Sequence, residues 1–143
     1  MKNMNNSNYR SLGIMLIVSF CIMYAVMFLN VDRAEHIFLS LTRLYMSLLM
    51  VSPMALLMLA MMQEMYSNKR WNTIIIASGI VIFLLSLILL RTQTPIGDRQ
   101  YMKAMIPHHS SAILTSKNAS LQDPEVKKLS EDIIQSQEKE IEQ

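Results

Sequence analysis

Cysteine is almost absent from this sequence, and the shortage excludes two kinds of site. The single cysteine, Cys21, lies inside an apolar stretch. A disulfide within the chain is therefore impossible, and a zinc site built mainly from cysteines is excluded as well. Any metal site would have to use other side chains.

Charged residues are also scarce, and their distribution argues against nucleic acid as a partner. They make up 17% of the 143 residues, and the formal net charge is only +2. Proteins that bind nucleic acid by charge carry a basic patch or stripe, and here the positive charges are few and scattered. We therefore expect no nucleic acid partner.

The sequence patterns of common catalytic sites are missing. Neither Glu-x-x-His nor His-Glu-x-x-His occurs, so neither a di-iron oxidase nor a zinc protease is predicted. The three glycines of the chain do not form a phosphate-binding loop or a nucleophile elbow. We expect a protein that is not an enzyme.

Long apolar runs are what the sequence has in abundance. Hydrophobic residues make up 52% of the chain, and three runs of 18, 19 and 20 residues carry no charge. A helix needs about 20 mostly apolar residues to cross the hydrocarbon layer of a membrane. We predict three transmembrane helices, near residues 12–30, 44–62 and 71–90.

The chain outside the apolar runs divides into a tail, a linker and a hairpin. Residues 1–11 form a polar N-terminal tail, and residues 91–97 form a linker that contains two helix breakers. Residues 98–143 predict two helices joined by a turn. The second has a strong start, because Asp123 can cap it and Pro124 suits its first position. We therefore expect an all-α protein with three membrane helices and a helical hairpin.

Three membrane crossings would place two polar segments on the same side. The loop after the first run contains Asp32, Glu35 and His36, and the hairpin contains the other two histidines. Two spans lie between these segments, so they share a side whichever way the protein inserts. His36 is therefore a candidate auxiliary metal ligand. Lysine and arginine are balanced across the two sides, so the positive-inside rule does not set the orientation.

The stretch YMKAMIPHH combines soft and borderline metal ligands after the third run. On an α-helix, Met102, Met105 and His109 fall within about 60° of one another. His108 points about 100° away from His109, unless Pro107 distorts the helix. Thioethers and imidazoles without thiolates favour copper over zinc. From spacing alone, a partial metal site and a helix whose methionines pack a core both remain possible.

The second apolar run carries a stripe of methionines within about 120° of the helical circumference. Its members are Met46, Met50, Met54, Met58, Met61 and Met65. The stripe could pass Cu(I) along the membrane from one thioether to the next. It could equally serve as flexible apolar packing between helices.

Two segments of the sequence together resemble a known protein family. They are DRQYMKAMIPHHSSAI and, about twenty residues later, LSEDIIQSQEKEIEQ. Together they resemble the domain-of-unknown-function family 305 over residues 98–143, the C-terminal third of the chain. Its signature is Met-Ile-x-His-His-x-x-Ala-Ile on one helix and Gln-x-x-Glu-Ile on the next. The resemblance implies a ferritin-like helical bundle, with secreted or periplasmic relatives tied to copper binding and copper tolerance.

The same resemblance implies which side chains would form the site. Three signature residues and one neighbour would be metal ligands: Met105, His108, His109 and the auxiliary Met102. On the second helix, Gln137 and Glu140 would orient the imidazoles through hydrogen bonds.

These patterns predict an integral membrane protein that binds copper, as Cu(I) or Cu(II), for sequestration or hand-off. The family resemblance favours a bacterial inner membrane with the hairpin on the periplasmic side. The alternative is a membrane-anchored interaction module with no metal role. A two-helix hairpin is too small to be stable alone, so besides the lipid bilayer we expect a second copy or another membrane or envelope protein as a partner.

Overall fold

The computed structural model describes residues 2–143, with side chains from residue 7 onward, and the described chain is helical. Its five α-helices are α1 (Lys2–Val26), α2 (Leu41–Met61), α3 (Lys69–Thr92), α4 (Asp98–Asn118) and α5 (Pro124–Glu142). A single 3-10 turn, Ala34–His36, lies between α1 and α2. No strand occurs in the described residues, so the predicted all-α class is confirmed.

Three helices are long and apolar enough to cross a membrane. They are the Ser7–Val26 part of α1, together with α2 and α3 in full. Few of their side chains are buried within the protein, and in α1 only 6% of the most apolar window is buried. Such outward-facing apolar surface is what a lipid environment would cover.

The first helix differs from its prediction at both ends. The polar segment predicted at residues 1–11 is helical from Lys2 onward, where α1 begins, and α1 ends at Val26, four residues before the end of the span predicted at 12–30. Tertiary hydrogen bonds explain the early start. Asn8 donates to a backbone carbonyl of the α2–α3 connection, and the Tyr9 hydroxyl donates to Asn72 Oδ1 at 2.6 Å. These hydrogen bonds stabilise the helical conformation of the polar residues before the first apolar run.

The second and third helices begin and end within three residues of the predicted spans. The predicted linker at residues 91–97 is two residues shorter, because α3 continues to Thr92. Gln93 ends the helix in the left-handed region, with a φ of 54°. A left-handed residue just past the last turn is a common way to stop an α-helix.

Two compact units make up the chain. We call Met1–Ala25 with Thr42–Pro95 the three-helix unit, and Val26–Leu41 with Ile96–Gln143 the hairpin unit. The hairpin unit therefore extends beyond the domain predicted at 98–143. The loop between α1 and α2 belongs to the same unit as α4 and α5.

The three-helix unit packs around a small cluster and one close helix contact. The cluster consists of Leu12, Leu59 and Tyr66. Gly79 of α3 faces α2, where an added Cβ would lie 3.3 Å from Leu56 Cδ2. The missing side chain at this position allows the two helices to approach closely.

The methionine stripe of α2 lies mostly on the outer surface of the unit. Met58 packs against the core cluster, whereas Met46, Met50, Met61 and Met65 are exposed. The stripe therefore contributes little to packing within this chain. The metal-transfer interpretation and packing against another helix both stay predictions.

The start of α5 matches its prediction. The Asp123 carboxylate accepts hydrogen bonds from the backbone N–H of Glu125 at 2.8 Å and of Val126 at 3.1 Å, and Pro124 occupies the first turn. Two amides that have no partner within the helix are thus satisfied.

Replacing Asp123 with alanine should loosen the first turn of α5. Loss of an N-cap costs about 1 kcal/mol, so the amides of Glu125 and Val126 should exchange their hydrogens about fivefold faster. Hydrogen exchange of the full chain, followed by NMR, measures this. Asp132→Ala removes an exposed carboxylate from the same helix without touching the cap, and should leave both rates nearly unchanged. Equal acceleration in the two variants would contradict the role of the cap.

Candidate metal centre

The helix that carries the predicted ligands runs without interruption through Pro107, which is buried. Pro107 therefore does not turn both imidazoles to one face, and the two adjacent histidines diverge as neighbouring helical positions do. His108 is exposed and His109 is half-buried. Their ring centroids lie 6.0 Å apart, with the ring planes inclined by 61°.

His109 is held by a carboxylate from the neighbouring helix. Its Nδ1 lies 3.2 Å from Glu140 Oε2, and only 16% of its side chain is exposed. The other Glu140 oxygen accepts a hydrogen bond from the Ser136 hydroxyl at 2.9 Å. A neutral imidazole that donates from Nδ1 to a carboxylate keeps its Nε2 lone pair for another ligand. The contact therefore orients the ring and leaves Nε2 outside the pair.

Two thioethers lie on the same side of α4 as His109. Met105 is four residues before His109 and half-buried, and Met102 is one turn earlier and 44% exposed. Gln137 is half-buried on α5, but among the described hydrogen bonds none joins it to an imidazole. The structure thus brings His109 and Glu140 together and leaves Gln137 outside that contact.

The loop between α1 and α2 is attached to α4 through one buried hydroxyl. Ser110 is 0% exposed, and its Oγ accepts a hydrogen bond from the Asp32 backbone N–H at 2.8 Å. The same oxygen lies 2.8 Å from His36 Nδ1. His36 therefore lies next to Ser110, the residue after His109, and its Nδ1 already has a hydrogen-bond partner.

A lysine reinforces this attachment and ties it to α5. Lys117 Nζ lies 3.2 Å from Asp32 Oδ2 and 3.1 Å from Glu138 Oε1. Hydrogen bonds to Glu138 first, and to Asp32 second, raise the pKa of the Lys117 ammonium above its usual value. Its contribution to stability is therefore fully present below the usual 10.5 and is lost only as the pH rises through the higher folded value.

Sequence reasoning missed both Ser110 and Lys117. A signal for Ser110 was available, since it lies three residues from Pro107 and three from Ile113, and these three positions form the buried face of α4. No local signal marks Lys117, because its partners are 85 residues before it and 21 residues after it.

The hairpin offers few side-chain donors to a metal ion. Among residues 2–143, no group of three or more histidine, cysteine, aspartate or glutamate side chains is arranged to hold a metal ion. What remains is one oriented imidazole beside two thioethers. This donor set fits a soft ion such as Cu(I), and it does not fit a structural zinc site, which needs four nitrogen or sulfur ligands.

Comparison with known proteins identifies related sequences. The model of the family described as "Domain of unknown function (DUF305)" matches residues 54–143. "Uncharacterized protein L153" of Acanthamoeba polyphaga mimivirus is 39% identical to this chain over 142 residues, which cover 96% of this chain and 89% of that protein. No solved structure matches the chain, so the ferritin-like relationship stays a prediction.

The extent of the family resemblance was predicted too narrowly. The match begins within α2 and includes all of α3, so it is not limited to the C-terminal third at residues 98–143. The methionine and histidine motif of the hairpin is distinctive in sequence. The apolar helices α2 and α3 are not, because most membrane-length helices share their composition.

Replacing Ser110 with alanine should detach the α1–α2 loop from α4. The change leaves the Asp32 amide and His36 Nδ1 without their partner, which costs about 1–3 kcal/mol. Hydrogen exchange at the Asp32 amide should therefore accelerate at least about fivefold. Ser111→Ala is the matched control, because the one hydrogen bond described for the Ser111 hydroxyl is an exposed one, from the Asn30 side chain. A smaller effect in Ser110→Ala than in Ser111→Ala would show that the buried hydroxyl does not hold the loop.

Proposed function

The chain belongs to the family described as "Domain of unknown function (DUF305)", and from this premise we propose that it is a membrane-anchored protein whose hairpin unit binds copper. The proposed role is to hold or hand off the ion, without catalysis. The contact between His109 and Glu140 is the observation that carries the proposal. It is the carboxylate–imidazole arrangement that usually supports a metal-bound histidine.

Each proposed ligand has a distinct task on the hairpin. His109 presents Nε2 as the principal nitrogen donor, because Glu140 fixes the ring through Nδ1. Met105 offers a thioether from the same face, one turn away, and Met102 a more exposed one. His108, exposed on the adjacent position, is available to a copper ion from outside rather than from within the hairpin. Copper is the cargo of this site, and the thioethers favour Cu(I).

The proposed anchor is the set of three long apolar helices. Their length and their outward apolar surfaces support a multi-pass membrane placement. We propose that the hairpin faces the periplasm of a bacterial inner membrane, or the corresponding outer side of another membrane. The similar mimivirus protein indicates that such chains are not restricted to bacteria.

Replacing Glu140 with glutamine should weaken copper binding by about 10- to 100-fold, which is the usual effect of losing a carboxylate behind a metal-bound histidine. The measurement is a competition titration of the detergent-solubilised full chain with Cu(I) and a chromophoric chelator. Glu138→Gln is the matched control. It changes a carboxylate on the same helix that pairs with Lys117 instead of with an imidazole, so copper affinity should stay unchanged.

The triple variant Met105→Ala, His108→Ala, His109→Ala decides whether the site exists. We expect loss of one bound copper per chain while the helix content, measured by circular dichroism, is retained. Full copper affinity in this variant would refute the proposed site. A hairpin found on the cytoplasmic side by labelling of a C-terminal tag would contradict sequestration outside the cytoplasm.

One observation favours a second function, an interaction module. No residue of α5 is buried, and Val126 and Leu129 of its apolar stripe are 44% and 59% exposed. An amphipathic helix normally covers such a stripe against a partner. A second copy of the chain or another membrane protein could supply that cover.

Replacing Val126 and Leu129 with serine should abolish self-association if α5 is the contact between copies. Analytical ultracentrifugation of the solubilised full chain would then show the protein shifting to the monomer. The control replaces the neighbouring Lys127 and Lys128 with serine, which alters the polar face of the same turn. Loss of association with unchanged copper affinity separates the two functions, and unchanged association in both variants excludes α5 as the contact.

A further inference from the structure

A groove runs between α1 and α3 in the three-helix unit. Its volume is about 480 Å³, within the range of roughly 300–1,000 Å³ found for sites that hold small molecules. Its walls include Leu12 and Leu16 of α1 and Ile75 of α3. Gly13 also lines the groove, and a Cβ added there would lie in open space, with no atom within 4 Å.

Two aromatic rings define one end of the groove. Tyr9 and Trp71 both line it, with their ring centroids 6.2 Å apart. Hydrogen bonds of the Tyr9 hydroxyl to Asn72 and to the backbone of Asn68 fix the tyrosine ring. Trp71 is 48% exposed. Tyrosine and tryptophan are enriched where membrane helices meet the headgroup layer, so this end of the groove matches that level.

One basic side chain lines this end of the groove, and two more lie close to it along the chain. None of the three has a carboxylate partner in the described part of the chain. Arg10 lines the groove, and Lys69 and Arg70 occupy the first turn of α3, directly before Trp71. All three are exposed. The three-helix unit contains a single acidic residue, Glu64, and it forms no ion pair with any of them. The mouth of the groove therefore carries an unbalanced positive charge.

We propose that this groove binds an anionic phospholipid, with one acyl chain along the apolar walls and the phosphate at Arg10. The inference rests on the membrane placement in the proposed function and is independent of copper. An apolar groove on the outer surface of membrane-length helices is open to acyl chains. Arginine matches phosphate geometry through paired hydrogen bonds, and Lys69 and Arg70 add attraction for a negative headgroup.

Trp71 makes the inference directly measurable, because it is the only tryptophan of the protein. The full chain is reconstituted in phosphatidylcholine vesicles that contain a small fraction of lipid with brominated acyl chains. Bromine quenches tryptophan fluorescence only on contact. Brominated phosphatidylglycerol should quench Trp71 at about fivefold lower mole fraction than brominated phosphatidylcholine, since one basic residue near the surface gives about that preference.

Two variants test the two halves of the site. Arg10→Gln should remove most of the preference for phosphatidylglycerol and leave quenching by phosphatidylcholine unchanged. Gly13→Leu should fill the groove and reduce quenching by both lipids. Arg91→Gln is the matched control, because it removes a cation from the opposite end of α3, and it should preserve the preference.

The outcomes separate this inference from the placement on which it rests. Equal quenching by the two brominated lipids in the unchanged protein would overturn the phospholipid site while leaving the membrane placement intact. So would an unchanged preference in Arg10→Gln. Absence of quenching by either lipid would instead show that Trp71 does not lie in a bilayer, and the membrane anchor would fail together with the inference.

Discussion

The buried hydroxyl of Ser110 is the interaction on which the hairpin unit depends. Its oxygen accepts a hydrogen bond from the Asp32 backbone N–H and lies within hydrogen-bond distance of His36 Nδ1. These contacts attach the loop between α1 and α2 to α4. The chain leaves this unit at Leu41 and returns to it at Ile96. Lys117, about two turns further along α4, strengthens the same attachment and extends it to α5.

The sequence allowed the elements of this fold to be predicted, but not the contacts between distant segments. Uncharged runs and the Asp123 cap are local signals, because they depend on neighbours within a few residues. The helical N-terminus depends on Tyr9 and its bond to Asn72, 63 residues away. The loop attachment depends on Ser110 and residues 74 and 78 positions before it. Short-range periodicity does not report contacts between such distant residues, so neither the helical start of α1 nor the attachment of the loop was predicted.

The sequence indicated which residues could take part in the candidate metal centre, but not how they are arranged. Helical spacing placed Met105 and His109 on one face, and the structure adds the carboxylate of Glu140 behind the imidazole. Spacing could not show that α4 continues past Pro107. Because the helix continues, the two histidine side chains point in different directions. The proposed copper site therefore centres on one imidazole and its thioether neighbours. A complete coordination sphere needs ligands from outside the hairpin.

The contact between His109 and Glu140 also has a thermodynamic consequence. Its two members come from different helices, so the oriented imidazole exists only while α4 and α5 are packed together. Any ligand that takes His109 Nε2 in this state binds the folded hairpin in preference to the unfolded one. Ligand concentration then becomes a variable of folding stability, worth about 2.7 kcal/mol at a hundred times the dissociation constant. A small hairpin with little core would be most ordered where its ligand is abundant.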